Sequence, residues 1–106
     1  MSAASIGDVI YEVNIDLDAG IEAAYRDWLR AHVAEILALP GFTGAQVFDV
    51  AEPMTAGRIG ICMQYRLRDD AALRDYFEQH APRLRADGIA RFGGKFSASR
   101  RVLRAT

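Results

Sequence analysis

Cysteine occurs once in this chain of 106 residues, tryptophan once, histidine twice and proline three times. A lone Cys62 excludes an internal disulfide and supplies none of the paired spacings that hold zinc. No apolar run approaches the ~20 residues needed to cross a bilayer, so no membrane partner is expected. The opening Met1-Ser2-Ala3-Ala4-Ser5 has no charged side chain, and no signal-type apolar region follows it. The expected location is therefore the cytoplasm. Residues 1–7 read as a flexible tail ahead of a single domain over residues 8–106. There is no glycine-rich phosphate loop and no nucleophile elbow. Neither helix carries two metal ligands at the usual spacing, so no metal and no cofactor are expected.

What is present is a core. Hydrophobic residues make up 51% of the chain and charged residues 25%, the balance of an ordinary globular domain. The net charge of −1 hides an asymmetry. Residues 1–53 carry two Arg against nine Asp and Glu, a balance of −7. Residues 54–106 carry eleven Lys and Arg against five Asp and Glu, a balance of +6. In a single domain such halves complement each other, within one chain or between subunits, and do not form a nucleic-acid patch.

Asp8 to Leu17 alternates Val9, Tyr11, Val13, Ile15 and Leu17 with Ile10, Glu12, Asn14 and Asp16, the period of a strand. Asp18 reads as an N-cap, and the spacing of Ile21, Tyr25, Trp28, Leu29, His32, Ile36 and Leu39 predicts one helix from about Ala19 to Leu39. Pro40-Gly41 stops it. Thr43 to Val50 and Arg58 to Arg68 read as a strand pair around a loop holding Pro53 and Gly57. Asp69 or Asp70 caps a second helix with the stripe Leu73, Tyr76, Phe77, His80 and Leu84. Pro82 forces a break near His80 and starts a short new helix that Gly88 ends. Gly93-Gly94 turns the chain into a last strand, Lys95 to Leu103. The order β–α–β–β–α–β predicts an α+β fold of ferredoxin-like type, a four-stranded antiparallel sheet with both helices on one face.

Two helices cover one face of such a sheet. The other would hold Glu12, Asn14, Cys62, Gln64, Arg66, Phe48 and Val50. The last strand adds either its Phe96, Ala98, Arg100 and Val102 row or its Ser97, Ser99, Arg101 and Leu103 row. That mixture predicts a sheet-to-sheet homodimer, with Glu12 paired to Arg66 or to a C-terminal arginine. A solvated sheet face is the alternative.

Three stretches carry a resemblance to a known family. They are Tyr11-Glu12-Val13-Asn14, Trp28-Leu29 with His32, and above all His80-Ala81-Pro82-Arg83-Leu84-Arg85 with Arg91-Phe92-Gly93-Gly94-Lys95-Phe96. On these residues, over roughly 9–103, the chain resembles the bacterial domain-of-unknown-function family 4286, within the dimeric α/β-barrel group of ferredoxin-like proteins. The resemblance implies a fold and a dimer, not a reaction. The wider group includes cofactor-free monooxygenases of antibiotic biosynthesis and muconolactone-isomerase-like enzymes, many with a pocket between sheet and helices. No catalytic residue carries over from it.

Both histidines fall on inward helix stripes. His32 and His80 are thus expected to approach one space lined by Tyr11, Tyr25, Trp28, Tyr65 and Tyr76, a candidate ligand pocket. A neutral imidazole there can accept a proton. The competing reading makes each histidine a hydrogen-bonded structural residue and the aromatic stripe plain core. RNA-recognition motifs share this topology, but Arg58 to Tyr65 lacks their third-strand pattern of glycine and aromatics, so nucleic acid is not an expected partner. Cys62 reads as a packed thiol. Two function classes follow. One is a structural or regulatory dimer without an assignable reaction. The other is a cofactor-independent monooxygenase- or isomerase-like enzyme, or a binder, for a small aromatic or polyketide-like compound.

Overall fold

The computed structural model describes residues 8–106, so the expectation for residues 1–7 lies outside the described residues. β1 (Val9–Asp18) leads through a 3-10 turn (Ala19–Ile21) into α1 (Glu22–Leu37). β2 (Phe42–Asp49) and β3 (Arg58–Leu67) follow, then α2 (Asp70–Gln79) and α3 (Ala81–Phe92). A second 3-10 turn (Gly93–Lys95) delivers β4 (Phe96–Arg104). The sheet has four antiparallel strands in the order β2-β3-β1-β4, the ferredoxin-like arrangement expected.

The period-two rows decide which face is covered. Val9, Tyr11, Val13, Ile15 and Leu17 are all buried, and so are Ile61, Met63, Tyr65 and Leu67. Tyr11 stands opposite Tyr65, Val13 opposite Met63 and Ile15 opposite Ile61, so the two rows share one face. Tyr25, Leu29 and Ile36 of α1, Leu73 and Tyr76 of α2 and Leu84 of α3 close over that face. Each fully buried Leu or Ile there contributes about 1.5–3 kcal/mol relative to exposure. Register also settles the β4 alternatives. Phe96 pairs with Leu17, Ala98 with Ile15 and Arg100 with Val13, which puts Phe96, Ala98, Arg100 and Val102 on the helix side. The open face therefore takes Ser97, Ser99, Arg101 and Leu103.

Local signals shift some boundaries. Asp18 does cap, accepting from the Gly20 amide at 2.7 Å, but it caps the 3-10 turn, so α1 begins only at Glu22. Asp69 is the cap of α2, accepting from the Ala72 amide at 2.9 Å. The chain breaks at His80 (φ −130°, ψ −37°) and Pro82 sits in the first turn of α3.

Gly88 does not end α3, contrary to expectation: the helix runs on to Phe92, and Gly93 (φ +55°) is the residue that leaves helical geometry. The reason for glycine at 88 is packing. A Cβ there would lie 3.2 Å from Cη2 of Trp28, so the missing side chain is what lets the indole lie against α3. Among the described residues no helix is long and apolar enough to cross a membrane.

Candidate functional site

α1 projects Tyr25, Trp28 and His32 toward the sheet from three- and four-residue spacing, and β1, β3 and α2 bring Tyr11, Tyr65 and Tyr76 to meet them. Together they line an apolar cavity of about 50 Å³ between helices and sheet. The exposed side chains of Arg85 (α3) and Arg100 (β4) complete its wall. Tyr11 packs against Tyr65, Tyr76 and Phe77 at centroid distances of 6.2, 5.6 and 5.3 Å.

Trp28 is held on both sides. Its ring stacks on His32 with centroids 4.3 Å apart and planes 22° from parallel. Its Nε1 donates to Asp87 Oδ2 of α3 at 2.9 Å, tying α1 to α3. That donation and the nearby Arg91 hold the Asp87 carboxyl below its usual range. A second tie joins the same helices: Arg83 Nη1 donates to Glu35 Oε2 at 2.7 Å.

Among the described residues two buried polar side-chain atoms have no hydrogen-bond partner, His32 Nδ1 and the Tyr65 hydroxyl. Both residues line the cavity. Burial pushes the His32 imidazole below its ordinary pKa, against the smaller pull of Glu35 and Asp87 in the other direction. The ring is therefore held toward its neutral form, with one nitrogen able to accept. Burial raises the phenols too: Tyr25 and Tyr76 are pushed up to about 12, and Tyr65 above the usual tyrosine range. These hydroxyls stay protonated and can donate. An unpaired polar group in a dry interior costs about 1–3 kcal/mol, so two beside one cavity require an explanation.

His80 does not line the cavity. It stands half-buried at the joint between α2 and α3, where its amide bonds Tyr76 O at 3.0 Å and its carbonyl accepts from the Leu84 amide at 3.2 Å. The four-residue step from Tyr76 points inward only while the helix continues, and the backbone leaves helical geometry at His80. The shared space expected for the two histidines is thus lined by His32 without His80. Arg85 and Arg100, absent from the expected set, do line it. Arg100 had a signal: it interrupts the apolar row of Phe96, Ala98 and Val102.

The open face holds a separate polar cluster. Glu12 is only 3% exposed although no helix covers it. Its carboxylate accepts from Arg101 Nε at 2.7 Å, Asn14 Nδ2 at 2.8 Å and Gln64 Nε2 at 3.0 Å. The Arg101 bond, ahead of the burial that opposes it, lowers the carboxyl to about 2. Of the pairings expected for Glu12, the C-terminal arginine forms; Arg66 turns to Asp8 instead, at 3.4 Å. Cys62 lies on the same face, and burial with the Glu12 charge raises its thiol, which opposes nucleophilic use. Among the described residues no three His, Cys, Asp or Glu side chains converge as metal ligands.

The sequence profile of a family described as domain of unknown function, DUF4286, matches residues 8–106, and the chain belongs to that family. No curated protein matches it in sequence. Solved structures share its fold at low identity. A conserved protein from Methanosarcina mazei Go1 superposes with a TM-score of 0.72 at 11% identity, covering 97% of each chain. SnoaB, a cofactor-independent oxygenase from Streptomyces nogalater, gives 0.67 at 16%, covering 93% of this chain and 94% of its own. The de novo designed protein Foldit4 gives 0.63 at 14%, covering 93% and 99%. A designed chain among the neighbours underlines that these likenesses establish the fold, and no specific reaction follows from them.

Proposed function

We propose that this member of the family binds a small planar molecule in the cavity between helices and sheet, with Tyr65 and His32 as its polar contacts. The observation that carries this reading is the pair of unpartnered atoms, His32 Nδ1 and the Tyr65 hydroxyl, on two residues that line the same cavity. A ring bearing a hydroxyl or carbonyl oxygen supplies what they lack, and Tyr11, Tyr25 and Trp28 supply faces for it to stack on.

Size sets a condition. A cavity of about 150 Å³ takes up benzene, and this one measures about 50 Å³, enough for water alone. A ring therefore needs one wall to move. Trp28 is the wall suited to do so, being half-buried and held by stacking and by one hydrogen bond at its rim. The reading of a purely structural barrel fits the small volume but leaves the two atoms unexplained.

Phenol is the probe. Titrated calorimetrically, it binds the wild-type protein and loses about fivefold or more in affinity in Tyr65→Phe, while the unliganded variant is as stable as wild type or more so, because an orphaned hydroxyl has been removed. A Tyr65→Phe protein that is destabilised, with no phenol binding to either form, would sink the proposal.

The unpartnered Nδ1 of His32 favours a second reading, proton abstraction from a bound carbon acid. Incubation with 2-tetralone in deuterium oxide, followed by proton NMR, tests it: exchange at the acidic carbon must be faster than without protein, and that acceleration must vanish in His32→Gln. We also infer a cytoplasmic homodimer joined through the open sheet face. The buried Glu12–Arg101 pair and the exposed Phe48 support it.

A further inference from the structure

We propose that the compound taken by this cavity is an anion, a planar apolar body carrying a carboxylate, with its charge held by Arg85 and Arg100. The inference rests on the reading of the cavity as a ligand site and names the class of ligand.

It begins with the arginines. Among the described residues only Arg74, Arg85 and Arg100 of all the arginines form no salt bridge. Two of those three line the same cavity, and among the described residues no acidic one lines it. In a chain whose other guanidinium groups find carboxylates on nearly every element, this concentration is not the pattern of a solvated face.

The two groups are placed differently. Arg85 Nη2 donates to the Tyr11 hydroxyl at 3.1 Å, and its guanidinium lies 5.9 Å from the Phe77 ring centroid, so it is fixed against the wall. Arg100 stands opposite Val13 on the helix-facing row of β4 and, among the described residues, forms no salt bridge. Its charge acts on both Tyr25 and Tyr76, opposing the burial that raises them, so it lies within electrostatic reach of two walls of the cavity.

A guanidinium offers paired donors in a plane, the geometry a carboxylate matches. Beside an apolar cavity the attraction is screened less than in water, so an anionic ligand gains where its neutral counterpart does not. His32 does not compete as a third cation, since burial holds it toward neutrality.

Benzoate and benzamide, nearly equal in shape, separate charge from fit. Trp28 is the only tryptophan and lines the cavity, so its emission follows ring binding directly. Benzoate is expected to bind about tenfold more tightly than benzamide, an advantage that shrinks with added salt. Arg100→Met should cut benzoate affinity by about fivefold or more and leave benzamide within about twofold. Arg85→Met should do the same, and Arg74→Met, outside the cavity, should change neither.

Equal affinities for the two probes overturn the anion and leave the ligand site standing. A benzoate preference that survives both cavity substitutions also overturns it, because the charge is then read elsewhere. Binding of neither probe while phenol still binds overturns this inference alone, and binding of none of the three removes it and the proposed function together.

Discussion

His32 has the Trp28 ring against one face, Glu35 on its own helix and Asp87 across on α3. The two carboxylates pull its pKa up and burial pulls it down further, so the folded value lies below the unfolded reference near 6.5. The sign then follows from proton counting. Between the two values the unfolded chain binds more protons than the folded one, so folding weakens as pH falls through that interval. His32 stability is fully present above about 6.5 and is lost toward the lower folded value. Urea midpoints at about pH 7.5 and pH 5 should therefore differ more in wild type than in His32→Gln, whose side chain does not titrate. Equal differences would show that His32 is solvated. That His32 lies on the inward stripe was legible from its spacing with Trp28 and Ile36. That its Nδ1 has no partner among the described residues was not, since the residues that line the cavity with it come from elements far apart in sequence.

At the scale of elements, the α2–α3 joint governs the site. Pro82 and the break at His80 let α3 change direction, and α3 then brings Gly88 and Arg85 to the cavity wall that α1 supplies with Trp28, and Asp87 to the indole N–H outside that wall. Gly88 is the tightest contact in this arrangement. Gly88→Ala gains about 1 kcal/mol of helix propensity, but overpacking typically costs about 1–3 kcal/mol, and here the added carbon meets the rigid edge of an indole at 3.2 Å. The expected result is a net loss of about 1 kcal/mol with a shift in Trp28 emission as the ring is displaced. Gly94→Ala, where a Cβ meets nothing within 4 Å, serves as the control. A Gly88→Ala protein more stable than wild type, with unchanged emission, would show that α3 yields and the ring does not. Read as a sequence, Gly88 is a helix stop, because a glycine that ends a helix and a glycine that admits a neighbour look alike until the neighbour is placed.

For the whole molecule, the open sheet face is the feature one chain leaves uncovered. Phe48 is 40% exposed there, while Glu12 at its centre is almost fully enclosed by Arg101, Gln64 and Asn14. A second copy applied to this face would bury the apolar side chains around a carboxylate whose hydrogen bonds are already made. Sedimentation equilibrium at micromolar concentration should show a dimer, and Phe48→Glu, which puts like charges against each other across a two-fold contact, should shift it to monomer. A monomeric wild type would remove the interface.

The sequence alone determined the strands, their inward rows, the helix stripes and the break at Pro82, because these rest on periods of two and 3.6 and on the geometry of proline, all local in the chain. It also determined the family and, through it, the fold. Only the tertiary structure decided that His80 stays out of the cavity while Arg85 and Arg100 line it, that Glu12 chooses Arg101 over Arg66, and that two cavity-lining residues each bury a polar atom without a partner among the described residues. Those outcomes depend on register between strands far apart in sequence and on the angle at which α3 leaves His80, and no local pattern carries either.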